Sequence, residues 1–169
     1  MKILDTNRLH INKLDQTYDG FIYELLNDPG WIRFIGDRGI RTLEDAQKYI
    51  SNGPMESYRV NGFGLYVVKL KNTEIPIGMS GLIKREGLED VDIGYAFLPQ
   101  YRGMGYALEA ALALLDYAQH EFGLKKVVAI TNPDNEDSIK LLVKAGMHFE
   151  KLICLKGDTK ETKLFAIDF

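Results

Sequence analysis

The residues best suited to chemistry stand together at Gln100-Tyr101-Arg102-Gly103-Met104-Gly105-Tyr106. The two glycines let the backbone approach a ligand with no side chain in the way. The apolar stretch that follows predicts a helix, whose start supplies free N–H groups and a positive dipole end. Together these suit a phosphate or pyrophosphate, with Arg102 available as a counter-charge; a plain turn ahead of a helix is the competing reading. Spacing excludes a P-loop, because no Gly-Lys-Ser/Thr follows. It also leaves the dinucleotide pattern incomplete, because Leu108 stands where a third glycine belongs. The next strand ends in Thr131-Asn132-Pro133 and not in an acidic ribose ligand, so a nicotinamide-dinucleotide enzyme is an alternative and not the first reading.

The elements that must position this segment are legible from periodicity. Arg8 to Leu14 alternates polar and apolar residues and predicts a strand. Tyr18 to Asn27 repeats its apolar residues at three and four, as a helix does, and Asn27-Asp28-Pro29-Gly30 reads as its stop. Trp31 to Arg41 reads as a loop. Thr42 then caps a second helix that Gly53-Pro54 ends. Phe63–Leu70, Ile75–Lys84 and Val91–Leu98 read as an antiparallel meander. Tyr106 to Phe122 is a helix apolar enough to be buried on most of its circumference, and Lys126–Thr131 a central strand reached by a parallel crossover. Asn135 to Ala145 is a last helix, capped by Asn135, with Phe149–Cys154 and Thr162–Asp168 as closing strands. The expected fold is α+β: a mixed, mostly antiparallel sheet of about seven strands with about four helices.

Composition excludes several classes. A chain of 169 residues with 46% apolar and 27% charged residues fits one globular domain, residues 1–169, without disulfides or metal to staple it. A net charge of -3 argues against a nucleic-acid backbone as the main partner. No apolar run spans a membrane, and the first residues lack the apolar centre of a signal peptide. The single Cys154 excludes an internal disulfide, so a cytoplasmic location is expected. His10, His120 and His148 share no metal-ligand spacing and no metal is expected, while Cys154 reads as packing.

Gln100-x-x-Gly103-x-Gly105 at a strand-to-helix junction resembles the signature of the GNAT superfamily of acyl-CoA transferases. Thr6-Asn7-Arg8-Leu9, Asp92-Ile93-Gly94-Tyr95, Asn135-Glu136-Asp137-Ser138 and Ala145-Gly146-Met147 extend the resemblance over nearly the whole chain. They look closest to the ribosomal-protein N-terminal (RimJ/RimL-type) acetyltransferase branch. The resemblance implies acetyl-CoA as the donor, with its pyrophosphate on the backbone of Arg102, Gly103, Met104, Gly105, Tyr106 and Ala107. Its pantetheine arm would pair with Phe97, Leu98 and Pro99 like an added strand, in a V-shaped opening between strands.

The resemblance further gives Asn135 as a pantetheine ligand and Ser138 as a hydroxyl near the thioester sulfur. Leu142 replaces the tyrosine that many relatives carry as the acid, which leaves Ser138 as the candidate. The acceptor amine must lose a proton, and Asp92, where relatives often have Glu, is the candidate base. A backbone N–H near Phe97 would meet the oxyanion. Trp31 and Arg33, with Arg38 and Arg41, lie where relatives shape the acceptor pocket. The expected activity is direct transfer of an acetyl group to a primary amine on a peptide or small molecule. The alternative is a CoA-binding module without turnover. Homodimers are common among such relatives.

Overall fold

The alternating stretch near the N-terminus forms strand β2 (Leu9–Lys13), but another strand precedes it. Lys2–Asp5 is β1, folded back on β2 through a turn in which the Thr6 N–H donates to the Leu9 carbonyl, 3.0 Å. The computed structural model describes residues 1–169. The meander is present as β3 (Leu65–Leu70), β4 (Pro76–Ile83) and β5 (Asp92–Phe97). A parallel crossover through a long helix reaches β6 (Lys126–Thr131), and β7 (His148–Ile153) and β8 (Thr162–Asp168) close the chain. The sheet has eight strands in the order β1-β2-β3-β4-β5-β6-β8-β7, and β5 with β6 is its parallel pair. The four-residue β1 sits at the sheet edge, too short for its alternation to register.

The helices are α1 (Asp19–Leu26), α2 (Pro29–Phe34), α3 (Leu43–Ile50), α4 (Glu56–Asn61), α5 (Tyr106–Phe122) and α6 (Glu136–Lys144). Two differ from the sequence expectation. Asp28 ends the first helix but also caps α2, accepting from the Gly30 and Trp31 N–H groups with Pro29 at the first helical position, so the expected loop begins as a helix. Pro54 does not stop α3 either. A wide π-turn at Ser51–Met55 takes up the residue that lacks an N–H, and the helical path continues to Gly62, whose left-handed φ of 81° stops it.

Period-two alternation divides the core between the two faces of the sheet. Tyr66 and Val68 of β3 join Ile93 and Phe97 of β5 under α5 and α6, while Val67 and Met79 face α1 and α3 with Leu98 and Trp31. Burial on α5 falls on Ala110, Ala111, Leu114, Leu115 and Ala118, spacings of three and four along one stripe, and Leu112 is exposed. It is less enclosed than its composition implies. Small residues on that stripe let the helix lie close against β4 and β5.

The sheet opens at its one parallel pair. β5 meets β6 at a single register pair, Asp92 with Val128, next to a Val128 N–H bond to the Val91 carbonyl at 3.0 Å. Toward Phe97 the two strands part.

Candidate active site

The splay exposes one edge of β5. The Leu98 N–H bonds the Ile77 carbonyl of β4 at 3.0 Å, so in the antiparallel register the backbone groups of Tyr95 and Phe97 point the other way, into the gap beside β6. Beyond Phe97 the chain enters a tight turn, where the Tyr101 N–H takes the Leu98 carbonyl and the Arg102 N–H takes the Pro99 carbonyl. Leu98 and Pro99 therefore have little left to offer a ligand. The free strand edge includes the N–H of Phe97, the first residue of the expected Phe97–Pro99 segment, and extends upstream to Tyr95.

The glycine segment follows. Gly105 adopts φ 81° and delivers the start of α5. From Gly103 to Leu108 no backbone N–H donates to another group of the protein; the first to do so is Glu109, to the Gly105 carbonyl at 3.0 Å. A run of unsatisfied N–H groups at the start of a 17-residue helix is an anion cradle. It fits a pyrophosphate.

Arg102 is not the counter-charge for that cradle. Its Nε donates to the Phe97 carbonyl at 2.9 Å, and its guanidinium pairs with Asp28 at 2.6 Å, which ties the loop to the start of α2. The cation beside the cradle is Arg8. Its guanidinium lies 4.4 Å from the centre of the Tyr106 ring and donates to the Met104 carbonyl and to Glu109, 2.6 Å; a Cβ on Gly105 would sit 3.3 Å from it. Burial alone would raise the Glu109 carboxyl, but hydrogen bonds from Thr6 and from the Arg8 N–H and side chain hold it below its usual range. Sequence reasoning found Thr6 to Leu9 as a motif and missed that its arginine reaches a loop about a hundred residues away. The signal was Glu109, the one charged residue in the first two turns of that helix.

On the far side of the gap, Asn135 caps α6, its Oδ1 accepting from the Ser138 N–H at 3.2 Å; its amide N–H groups have no partner in the protein. Ser138 Oγ lies 2.6 Å from the hydroxyl of Tyr95, which sequence reasoning did not single out. Burial pushes the Tyr95 phenol up to about 12 despite that hydrogen bond. Leu142 is packed in the core.

Asp92 lies at the closed end of the gap, 1% exposed. Its Oδ2 accepts from Arg85 Nε at 2.9 Å and its Oδ1 has no partner. Burial raises its carboxyl above the ordinary value, and Arg85 offsets only part of that. Trp31 packs beside Leu98 and is buried, with its indole N–H unpartnered. Arg33 and Phe34 do line a depression, of about 290 Å³, whose other side is Asp134 to Asp137. Arg41 is engaged with Asp37 on the surface. Cys154 is exposed just past β7, so it is not the packing residue expected.

Residues 8–148 match the acetyltransferase (GNAT) domain. The chain belongs to the GNAT acetyltransferase family. Its enzyme class is therefore N-acetyltransferase. The Bacillus subtilis N-acetyltransferase YnaD, itself uncharacterized, is 29% identical over 147 residues, covering 87% of this chain and 83% of that one. A GNAT-family acetyltransferase from Bacillus anthracis superposes with a TM-score of 0.81 at 27% identity, covering 99% and 98% of the two chains. The RimL ribosomal L7/L12 α-N-protein acetyltransferase, solved with coenzyme A, shares the fold at a TM-score of 0.84 and 16% identity, covering 100% and 98%. For this GNAT protein the dinucleotide alternative gains no support, since its sheet is not doubly wound. No helix is long and apolar enough to cross a membrane.

Proposed function

We propose that the protein transfers the acetyl group of acetyl-CoA directly to a primary amine of a peptide or small molecule. The observation that carries this reading is the continuity of the site: the free edge of Tyr95 and Phe97 leads into the unpaired N–H groups from Gly103 to Leu108, with Arg8 beside them. Such an edge can pair with the amides of a pantetheine arm while the cradle takes a pyrophosphate, helped by Arg8 Nη2, the one guanidinium nitrogen that Glu109 and Met104 leave free. The unpartnered amide of Asn135 faces the same task from α6. A thioester set along this line has the Phe97 N–H as an oxyanion donor.

In this reading Asp92 takes a proton from the acceptor ammonium, directly or through water, and the neutral amine then attacks. Its unpartnered Oδ1 and raised pKa suit a base. Ser138 faces the departing sulfur. The acceptor enters past Arg33 and Phe34, opposite the carboxylates of α6 and the loop before it. No side chain is placed as a covalent nucleophile.

The test is CoA release from saturating acetyl-CoA against a panel of N-terminal peptides, amino acids, polyamines and aminoglycosides. Turnover on at least one amine is expected. Tight acetyl-CoA binding with no turnover on any of them would instead favour a binding module, the reading that Leu142 in place of an acid keeps alive.

A further inference from the structure

We infer that Tyr95 is a positioning residue that directs the Ser138 hydroxyl at the leaving sulfur, which rests on the acetyl-transfer reading above. Tyr95 stands on the free edge of β5 and Ser138 in the first turn of α6, so the two come from opposite sides of the splayed pair and meet across it. Their oxygens are 2.6 Å apart. The phenol also lies 3.4 Å from the Ser138 carbonyl, which can only accept.

Two hydrogen-bond directions are open to this pair. If Ser138 donated to the phenol, the phenol proton would be left with that long contact to a carbonyl. If Tyr95 donates to Ser138 Oγ, the short contact takes the phenol proton and the serine proton is free for a third partner. An acceptor sulfur in the gap selects the second direction, giving a chain Tyr95 O–H to Ser138 O–H to sulfur. Chained hydrogen bonds polarise one another, so the serine becomes a stronger donor than it would be alone.

The step balances without a proton leaving Tyr95. With the ammonium proton already on the base, the neutral amine nitrogen bonds the acetyl carbon, the C–S bond breaks with its electron pair on sulfur, and the proton that the new amide nitrogen sheds neutralises the departing thiolate as the CoA thiol. Ser138 stabilises the developing thiolate by a hydrogen bond. A thiolate whose thiol has a pKa of about 8.5 is a weaker base than a buried phenolate, so Tyr95 stays protonated throughout. Leu142 lies one turn beyond Ser138 on the same face of α6, buried in the core. The phenol absent from that helix is supplied across the gap, from β5.

The experiment is a double-mutant cycle in the full chain with Tyr95→Phe and Ser138→Ala, read as kcat and as KM for acetyl-CoA on an amine that the wild type turns over. Unfolding temperature and CoA affinity are measured for each variant. Tyr95→Phe should lower kcat about tenfold, with KM and CoA affinity within about twofold. The double variant should be no slower than Ser138→Ala alone, because Tyr95 acts only through the serine. An unchanged kcat in Tyr95→Phe, effects that multiply in the double variant, or a loss confined to KM and CoA affinity would each overturn the inference while leaving acetyl transfer intact. A wild type that turns over no amine takes down both.

Discussion

Arg85 is the partner that keeps a charge at Asp92 tolerable inside the protein, through one bond of 2.9 Å to a carboxylate that is 1% exposed. Arg85→Met keeps most of the stem and removes the charge. Without that charge beside it, Asp92 rises further above its ordinary value in the folded protein. Breaking a buried ion pair by removing one partner costs about 3–5 kcal/mol where the other is ionised, and somewhat less here because Arg85 is 31% exposed. The loss depends on pH. Asp92 already lies above its ordinary value of 3.8 in the folded state. Its contribution to stability is therefore fully present below about pH 4 and is lost as pH rises through the folded pKa. In Arg85→Met that decline continues to higher pH. The two proteins should differ little near pH 4, apart from a constant packing contribution, and most near pH 8. Urea unfolding at several pH values measures this. An equal stability difference at pH 4 and pH 8 would refute the account of a buried, charge-compensated carboxylate. If Asp92 is the base, the acid limb of kcat/KM moves to higher pH in the same variant.

Other expectations follow from the same geometry. Gly105→Glu fills the cradle and adds a like charge, so CoA binding measured by calorimetry should vanish; unchanged affinity in a folded variant would remove the cradle assignment. Arg8→Met should weaken CoA binding about tenfold and make it less sensitive to salt, since a charge contact to phosphate has been lost; an affinity equal to wild type would leave Arg8 as a mere tie to Glu109. Asp28→Ala removes the cap of α2, worth about 1 kcal/mol, and a pairing with Arg102 discounted by that side chain's 47% exposure, so stability should fall by about 1–3 kcal/mol in urea unfolding. Asp92→Asn should lower kcat/KM by about a hundredfold at neutral pH, and a full rate between about pH 6 and 9 would exclude Asp92 as the base.

The order of the main elements was legible because each carries its own period and punctuation. Asn135 with Gly146 bounds α6, and the apolar run Lys126–Thr131 forms β6 over the expected residues. The short pieces were not legible. In α2, Asp28-Pro29 serves as stop and start at once, and a π-turn around Pro54 has no local signature. The glycine segment was read from its spacing, but the partners of its charges were not. Arg102 turns back to Asp28 and Arg8 arrives from the other end of the chain, and such long-range pairings leave no periodic trace. Tyr95 stands in the motif Asp92-Ile93-Gly94-Tyr95, and nothing in a single sequence says which side of a splayed pair a phenol will cross.

The single rung between β5 and β6 has a mechanical consequence. It leaves the sheet as two leaves, β1 to β5 and β6 with β8 and β7, creased along a line that few hydrogen bonds stitch. A donor lying in the crease would fasten the leaves together. Amide exchange should then show two cooperative blocks in the free protein that merge into one when CoA is bound. Turnover would open and refasten the same crease on every cycle.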